Sequence, residues 1–385
     1  HDLGTLIKTF EDLKDIHEPV LLHLDTKKGH GFDAAEADPI KYHALKNFLP
    51  KKPTKEKARD NGVPAQKKRP GYSNVFKEAI VALGRKDRRI CTITAGMPDG
   101  TGLLKFSEEF PDRYFDVGIC EQHGAGFGSG LAFGGMRPVF AVYSTFAQRA
   151  YDQLIHDVCI QENSVVFCLD RAGLTGEDGW THHGVFDISF MRCVPGMVLM
   201  APRDGEELEE MLQLAIDQTT TPVAIRYPKA TVPELPVPRE EDLRIGKAEV
   251  LLEGEGVALF AYGSMVEAAW SALAQLAEKG IHPTLVNARF AKPLDVELLK
   301  ALGENHHTLV TLEEHVLMGG FGSAVTETLV DANIRYDKIL RLGVPDEFIT
   351  FGSREQLLED CGLSPETIAN RIISECLGEK PPKAR

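Results

Sequence analysis

The sequence predicts an α/β protein built from two successive parallel-sheet units. Three observations carry that reading. Short runs that are apolar throughout, such as Ile90 to Thr94, Val139 to Tyr143 and Val165 to Leu169, have the continuous apolarity of strands covered on both faces. Between such runs lie stripes of helical period, for example Val75, Phe76, Ala79, Ile80 and Leu83. The same alternation resumes after about Gly246 and runs to Leu377, which makes a second unit of the same class.

Taken in order, the chain opens on an amphipathic stretch (Leu3, Leu6, Ile7, Phe10, Leu13) and a strand-like run from Pro19 to Leu24. Residues 1–48 read as the tail of a domain whose beginning is absent. Residues 49–72 are basic and proline-bearing with almost nothing apolar to bury, the composition of a linker. The first α/β unit covers residues 73–236, adding strands at Met197 to Ala201 and Val223 to Arg226, with Asp204 and Glu207 spaced as a capping box. The second covers residues 246–377. Its strands are Val257 to Tyr262, Thr284 to Asn287, Leu309 to Leu312 and Ile339 to Leu342. Ser264 and Glu267 are placed to cap a helix ending at Gly280, and Ser364 with Pro365 opens the last helix.

Composition excludes several classes. A net charge of −14 gives no basic face for nucleic acid. No window approaches twenty consecutive apolar residues and no signal-peptide pattern opens the chain, so a soluble, cytoplasmic protein of bacterial type is expected, with no membrane partner. The seven cysteines are odd in number and lack C-x-x-C spacing, which reads as reduced core thiols rather than disulfides or a zinc site.

Two segments point to an enzyme. DVGICEQH, from Asp116 to His123, sets Glu121 behind an apolar stretch at the mouth of a glycine-rich helix. DRAGLTGEDGWTHHG, from Asp170 to Gly184, packs three acids, an arginine and two histidines into a loop too glycine-rich to serve packing. A carboxylate placed in such surroundings is suited to proton chemistry. After Glu121, glycines at 124, 126, 128 and 130 each cost a helix interior about 1 kcal/mol, which implies close approach of a cofactor or facing subunit.

With AGMPDGTGL (Ala95 to Leu103), FDVGICEQH, VYSTFAQRAYDQLIHD (Val142 to Asp157), the 170–187 segment, LEEHVLMGGFGSAVTE (Leu312 to Glu327) and TKKGHGF upstream, the chain resembles the 1-deoxy-D-xylulose-5-phosphate synthase family. The motifs keep that family's order along nearly the whole chain. These are transketolase-like thiamine diphosphate enzymes, usually homodimers, built from diphosphate-binding, pyrimidine-binding and C-terminal domains. The resemblance therefore implies that residues 1–48 are the tail of the diphosphate domain, 73–236 the pyrimidine-binding domain and 246–377 the C-terminal domain. It implies condensation of pyruvate with glyceraldehyde 3-phosphate, with loss of carbon dioxide, on a route that also supplies isoprenoid, thiamine and pyridoxal precursors.

The same resemblance assigns residues. Glu121 matches the carboxyl group that hydrogen-bonds the cofactor's pyrimidine ring; Ile119, Met97 and Phe146 match its apolar wall, and Lys28 a further cofactor contact. Tyr143, Arg149, Arg171 and Arg226 match substrate-binding positions, arginine being suited to phosphate through its planar fork. Asp178, His182 and His43 match catalytic positions, whereas His183 and His156 read as structural. Two departures stand out. Trp180 replaces a smaller residue, so that Trp180→Pro is expected to alter the aldehyde KM more than the pyruvate KM; and Arg226-Tyr227-Pro228-Lys229-Ala230 lacks the arginine and glycine that commonly follow the proline, which touches phosphate affinity.

The family's Gly-Asp-Gly segment with its downstream asparagine, which holds Mg2+ and the diphosphate, does not occur in these residues, so the metal ligands are expected on an N-terminal part or a separate diphosphate-binding chain. Alternatives stay open at this point: a transketolase-like or 2-oxo acid decarboxylating subunit of other specificity, or a catalytically silent fragment that pairs with a partner chain.

Overall fold

The computed structural model describes residues 1–39, 42, 69–217, 221–237 and 242–377. The chain divides into two units, 1–67 and 68–385. In the first, Asp2 caps the helix Leu3–Leu13 by accepting from the Thr5 N–H at 3.2 Å, and none of that helix's residues is buried. The strand expected over Pro19 to Leu24 does not form. Its apolar side chains are half-exposed to exposed, Leu21 almost fully, and a lone apolar run without a neighbouring strand leaves its backbone groups unpaired. Most of the basic segment 49–72, up to residue 68, lies outside the described residues, as does His43.

The second unit holds two sheets. The strands are β1 (Ile90–Thr94), β2 (Tyr114–Asp116), β3 (Arg137–Tyr143), β4 (Val166–Asp170), β5 (Val198–Met200), β6 (Val223–Arg226), β7 (Glu249–Leu252), β8 (Gly256–Ala261), β9 (Thr284–Asn287), β10 (Phe290–Lys292), β11 (His306–Val316) and β12 (Lys338–Val344). The seven-stranded sheet has the order β10-β5-β6-β4-β3-β1-β2, and the five-stranded sheet β12-β11-β8-β9-β7. Pairing is parallel except at two places: β7 against β9, and β10 against β5. Strands β1, β4 and β6 are buried at every position, which is why their sequences read as continuous apolar runs.

The β10 pairing matters most for the architecture. This strand comes from the second half of the chain yet completes the sheet of the first, Phe290 lying opposite Met200. One apolar core accordingly runs through both halves, from Ile93, Phe140 and Phe167 to Phe260, Tyr262 and Phe321. A buried polar cluster crosses the same junction. Arg289 Nε donates to Glu207 Oε1 at 2.9 Å, Asn287 Nδ2 donates to Glu207 at 2.9 Å, and Arg203 pairs with Glu249 at 3.1 Å. Burying such charges is tolerable only because each has an opposite partner within hydrogen-bond reach.

The helix caps follow the sequence in part. Asp204 accepts from the Glu207 N–H at 2.9 Å, and the Glu207 carboxylate accepts from the Arg203 N–H at 2.6 Å. Ser364 accepts from the Thr367 N–H at 3.3 Å at the start of Pro365–Leu377. Ser264 makes no cap bond: its hydroxyl is committed elsewhere, to Glu314.

Candidate functional site

The parallel strands of the larger sheet leave their C-terminal ends along one edge, where ligand-binding loops of open α/β sheets gather. The loop after β1, the turn after β2, the short helix after β3 and the long loop after β4 all emerge there. Asp116, at the end of β2, ties two of them together: its Oδ1 accepts from Gly96 N–H at 2.7 Å and from Gly118 N–H at 3.0 Å. Gly118 turns the chain with φ 68°, and Ile119 follows with 78% of its surface exposed. Met97 is half-buried on the neighbouring loop.

Glu121 is the first residue of the helix Glu121–Phe133 and is 3% exposed. Its Oε2 is buried and has no hydrogen-bond partner among the described residues. The macrodipole of the helix N-terminus favours a negative charge there, but an unpaired buried oxygen still costs about 1–3 kcal/mol. A ring nitrogen of a bound cofactor would complete it.

The glycines of this helix divide into two kinds. A Cβ on Gly124 would come within 2.8 Å of the Phe140 ring, and one on Gly128 within 3.3 Å of Ile93, so both are sites of close packing on the sheet. A Cβ on Gly130 would meet nothing, and one on Gly126 only the Asp157 carboxylate at 3.0 Å. Those two face a groove of about 720 Å³ shared with Gln122, His123, Phe127 and Gln153.

Five of the sequence-assigned residues come together across the loops after β3 and β4. The Arg171 guanidinium lies 3.9 Å above the Tyr143 ring, pairs with Asp170 at 2.9 Å and donates from Nη1 to Gly100 O at 2.6 Å. Arg171 occupies the left-handed region with φ 60°, a conformation a non-glycine residue adopts only when its surroundings impose it. Phe146 stacks on Tyr143 at 5.8 Å and meets His182 edge-on at 5.5 Å. Burial pushes the Tyr143 hydroxyl up to about 12, so it stays protonated. Gly100 is required beside it, because a Cβ there would fall 2.0 Å from the Tyr143 oxygen.

Asp178 closes the group from the far end of the same loop. Lys229 Nζ donates to its Oδ2 at 2.5 Å. Burial pushes the Asp178 carboxyl up, but the bond and charge of Lys229, with His182 and Arg171 nearby, outweigh it and hold the carboxyl below its ordinary range. Lys229 carried no assignment from the sequence beyond its place in a departure from the family pattern. Its signal was that departure: a lysine where an arginine is usual, three residues after Arg226.

The remaining assignments fall elsewhere. Arg149 is exposed, and its side chain makes no hydrogen bond or ion pair among the described residues. Arg226 is 4% exposed, and its guanidinium pairs with Asp187 at 3.0 Å and donates to Glu314 O at 3.2 Å and Gly184 O at 3.4 Å. It is engaged in the base of the loop. Lys28 is exposed within the first unit. Trp180 is 65% exposed between Asp178 and His182. His183 is buried, accepting at Nδ1 from Thr175 N–H at 3.0 Å and donating from Nε2 to Thr350 O at 2.9 Å. His156 is exposed and paired with Asp152 at 3.0 Å. Of the cysteines, Cys120 and Cys193 are exposed, which departs from the expectation of core thiols. Among the described residues no cluster of three His, Cys, Asp or Glu is arranged to hold a metal ion. No described helix is long and apolar enough to cross a membrane.

Comparison with known proteins agrees in kind with this geometry. Residues 68–234 match the family model of the transketolase pyrimidine binding domain, and residues 246–368 that of the transketolase C-terminal domain. The chain is 49% identical over 387 residues to a 1-deoxy-D-xylulose-5-phosphate synthase of Gloeobacter violaceus, aligning all of itself with 59% of that protein. It is 49% identical over 377 residues to the corresponding synthase of Thermomicrobium roseum, covering 57% of it. The chain thus spans somewhat under three-fifths of these relatives. Among solved structures, a split gene transketolase described as an inactive beta4 tetramer superposes with TM-score 0.70 at 30% identity, over 80% of this chain and 99% of that one. A transketolase from Campylobacter jejuni superposes with TM-score 0.66 at 20% identity, over 79% of this chain and 46% of the other, a likeness of fold alone.

Proposed function

The chain belongs to the transketolase-like 1-deoxy-D-xylulose-5-phosphate synthase family, and from that premise we propose that it carries the pyrimidine-binding and acceptor side of a thiamine diphosphate-dependent condensation. The substrates are pyruvate and glyceraldehyde 3-phosphate, and the products 1-deoxy-D-xylulose 5-phosphate and carbon dioxide. The observation that carries the reading is the buried, unpartnered Oε2 of Glu121 at the site edge.

When bound, thiamine diphosphate supplies the electron sink for loss of carbon dioxide. The chain's own residues do the rest. Glu121 would hold the cofactor through a hydrogen bond between Oε2 and a ring nitrogen, since that buried oxygen has no partner among the described residues. Ile119, Met97 and Phe146 would give the ring an apolar wall that excludes water. His182, set against Phe146, moves a proton at the reacting oxygens, with Asp178 in the same loop. Arg171 and Arg149 offer guanidinium groups to the acceptor phosphate, and Tyr143 fixes the plane of the first. Arg226 orders the base of the loop through Asp187. We assign His43 and Lys28 to the same chemistry on the resemblance alone.

Magnesium would sit with the diphosphate, and the described residues offer it no ligand set. The working enzyme is proposed to be a cytoplasmic homodimer, or a pairing with a separate diphosphate-binding chain; the latter is supported by the likeness to a split gene transketolase. The pathway placement, toward isoprenoid, thiamine and pyridoxal precursors, rests on the family resemblance alone.

The test is pyruvate-dependent release of carbon dioxide with thiamine diphosphate, Mg2+ and glyceraldehyde 3-phosphate. It is run with this chain alone and with a diphosphate-binding domain supplied. Activity that needs the aldehyde and disappears in Glu121→Ala supports the proposal. Absence of turnover in both mixtures, with the pieces folded and associated, favours a catalytically silent partner chain.

A further inference from the structure

The loop that carries Asp178 and His182 belongs to the first sheet, but it is also gripped from the second half of the chain. Glu314, near the end of β11, is 1% exposed. Its Oε1 accepts the Leu174 N–H at 2.8 Å, and its Oε2 accepts the Ser264 hydroxyl at 2.6 Å. Arg354 donates to the same carboxylate, from Nε at 3.1 Å and through a closer bond from Nη2. The fit admits no side chain at Gly173, where a Cβ would stand 2.5 Å from Glu314 Cδ. The segment leading into Arg354 continues the grip. Thr350 O accepts from His183, the Gly352 N–H reaches Gly176 O at 3.5 Å, and a Cβ on Gly179 would lie 3.3 Å from Phe351 Cβ.

We propose that Glu314 is a positioning residue for the acceptor step: by holding the Leu174 N–H against the Arg354 anchor it fixes the 172–184 loop, and with it the places of Asp178 and His182. The inference rests on the proposed condensation for its kinetic half and on geometry alone for the rest. Reach, not charge, is the operative property of Glu314. The Leu174 N–H needs an acceptor at that distance, and Arg354 needs an opposite charge; the two demands can be separated by substitution. Glu314→Asp keeps the charge facing Arg354 and withdraws the oxygens by about 1.5 Å, one carbon–carbon bond. Glu314→Gln keeps the reach and discards the charge.

The experiment is backbone amide exchange of the peptide covering residues 172–184 in this chain, for wild type and both variants, with peptides from β1 and β3 as references. Losing one such bond corresponds to about tenfold, so the loop amides in Glu314→Asp are expected to exchange about tenfold faster, with Glu314→Gln less affected than Glu314→Asp and the references unchanged. In the complete condensing enzyme, Glu314→Asp then raises the aldehyde KM while the pyruvate KM stays put. Loop exchange equal to wild type in Glu314→Asp overturns the proposal. So does faster exchange spread evenly over the reference strands, or a pattern in which Gln is worse than Asp, which would make Glu314 a structural ion-pair partner. A wild type that does not condense the two substrates refutes the functional reading instead, and the exchange comparison still decides the role of Glu314 in the loop.

Discussion

Lys229 holds the carboxylate of Asp178 at 2.5 Å across 51 residues of chain, and is the strongest hold on that carboxyl against burial. Removing it takes away the larger part of what outweighs burial. In Lys229→Met the Asp178 pKa is expected to climb from below its ordinary range to that range or above, as followed by carboxyl 13C shifts against pH. The sign for stability follows from linkage. A depressed carboxyl contributes stability above its unfolded pKa and loses it as pH falls through the folded one, so the variant shows less acid destabilisation than wild type. A carboxyl shift curve unchanged by the substitution would discount the pair.

Glu121 has an opposite signature. A glutamate that served only the helix dipole would give up about 0.3–1 kcal/mol when neutralised and leave turnover alone. For Glu121→Gln we expect a melting temperature no lower than wild type, since the charge beside an unpartnered buried oxygen is lost, together with a fall in condensation of about 100-fold or more. Calorimetry beside the turnover assay checks both halves.

The glycine-rich helix makes a third case. Gly130→Ala introduces a methyl into open space and removes a flexible residue from a helix interior, so the chain should gain about 0.5–1 kcal/mol. Gly124→Ala drives the same methyl into the buried Phe140 ring and should lose about 1–3 kcal/mol. Urea midpoints of the two variants, measured side by side, are expected to move in opposite directions.

Stability should also fall as pH rises toward 8 through one buried acid. Burial lifts the Glu313 carboxyl to about 8, although it accepts the N–H groups of Gly322 at 2.8 Å and Phe321 at 2.6 Å. A carboxyl raised in the fold favours the native state below its unfolded pKa of 4.5 and loses that contribution as pH rises toward 8. Its neighbour His315 is driven down by burial to about 4, and so costs stability only as pH drops from 6.5. Between pH 6.5 and 8 the histidine is silent. Wild type should therefore lose stability across that window and Glu313→Gln should not, by equilibrium urea unfolding at the two pH values.

What the residues revealed in advance depended on how they are buried. Strands β1, β3, β4 and β6 are enclosed by layers on both faces, and that enclosure writes an unbroken apolar run. The strands that escaped notice lack it. β2 is three residues at a sheet edge, half-buried to exposed; β7 alternates buried and exposed at the other sheet's edge; and β10 has three residues whose partner strand lies ninety residues earlier in the chain. The run Pro19 to Leu24 misled for the converse reason, since it has strand composition without a strand to bond. At the site, Tyr143, Phe146, Arg171, Asp178 and His182 were legible because each sits in a motif. Lys229 stood out only as a departure from the family pattern, and Glu314 only as part of a motif; the partners of both lie far away in sequence, and nothing local names them.

The placement of β10 has a consequence for anyone wishing to recombine this protein with its relatives. Because Phe290–Lys292 is stitched into the sheet of the other half, a crossover in the segment near residue 240 would exchange a seam along with a domain. Chimeras should fail when donor and recipient differ in the residues facing Leu199 and Met200, and succeed when those contacts travel together. The unit of inheritance is the pair of halves.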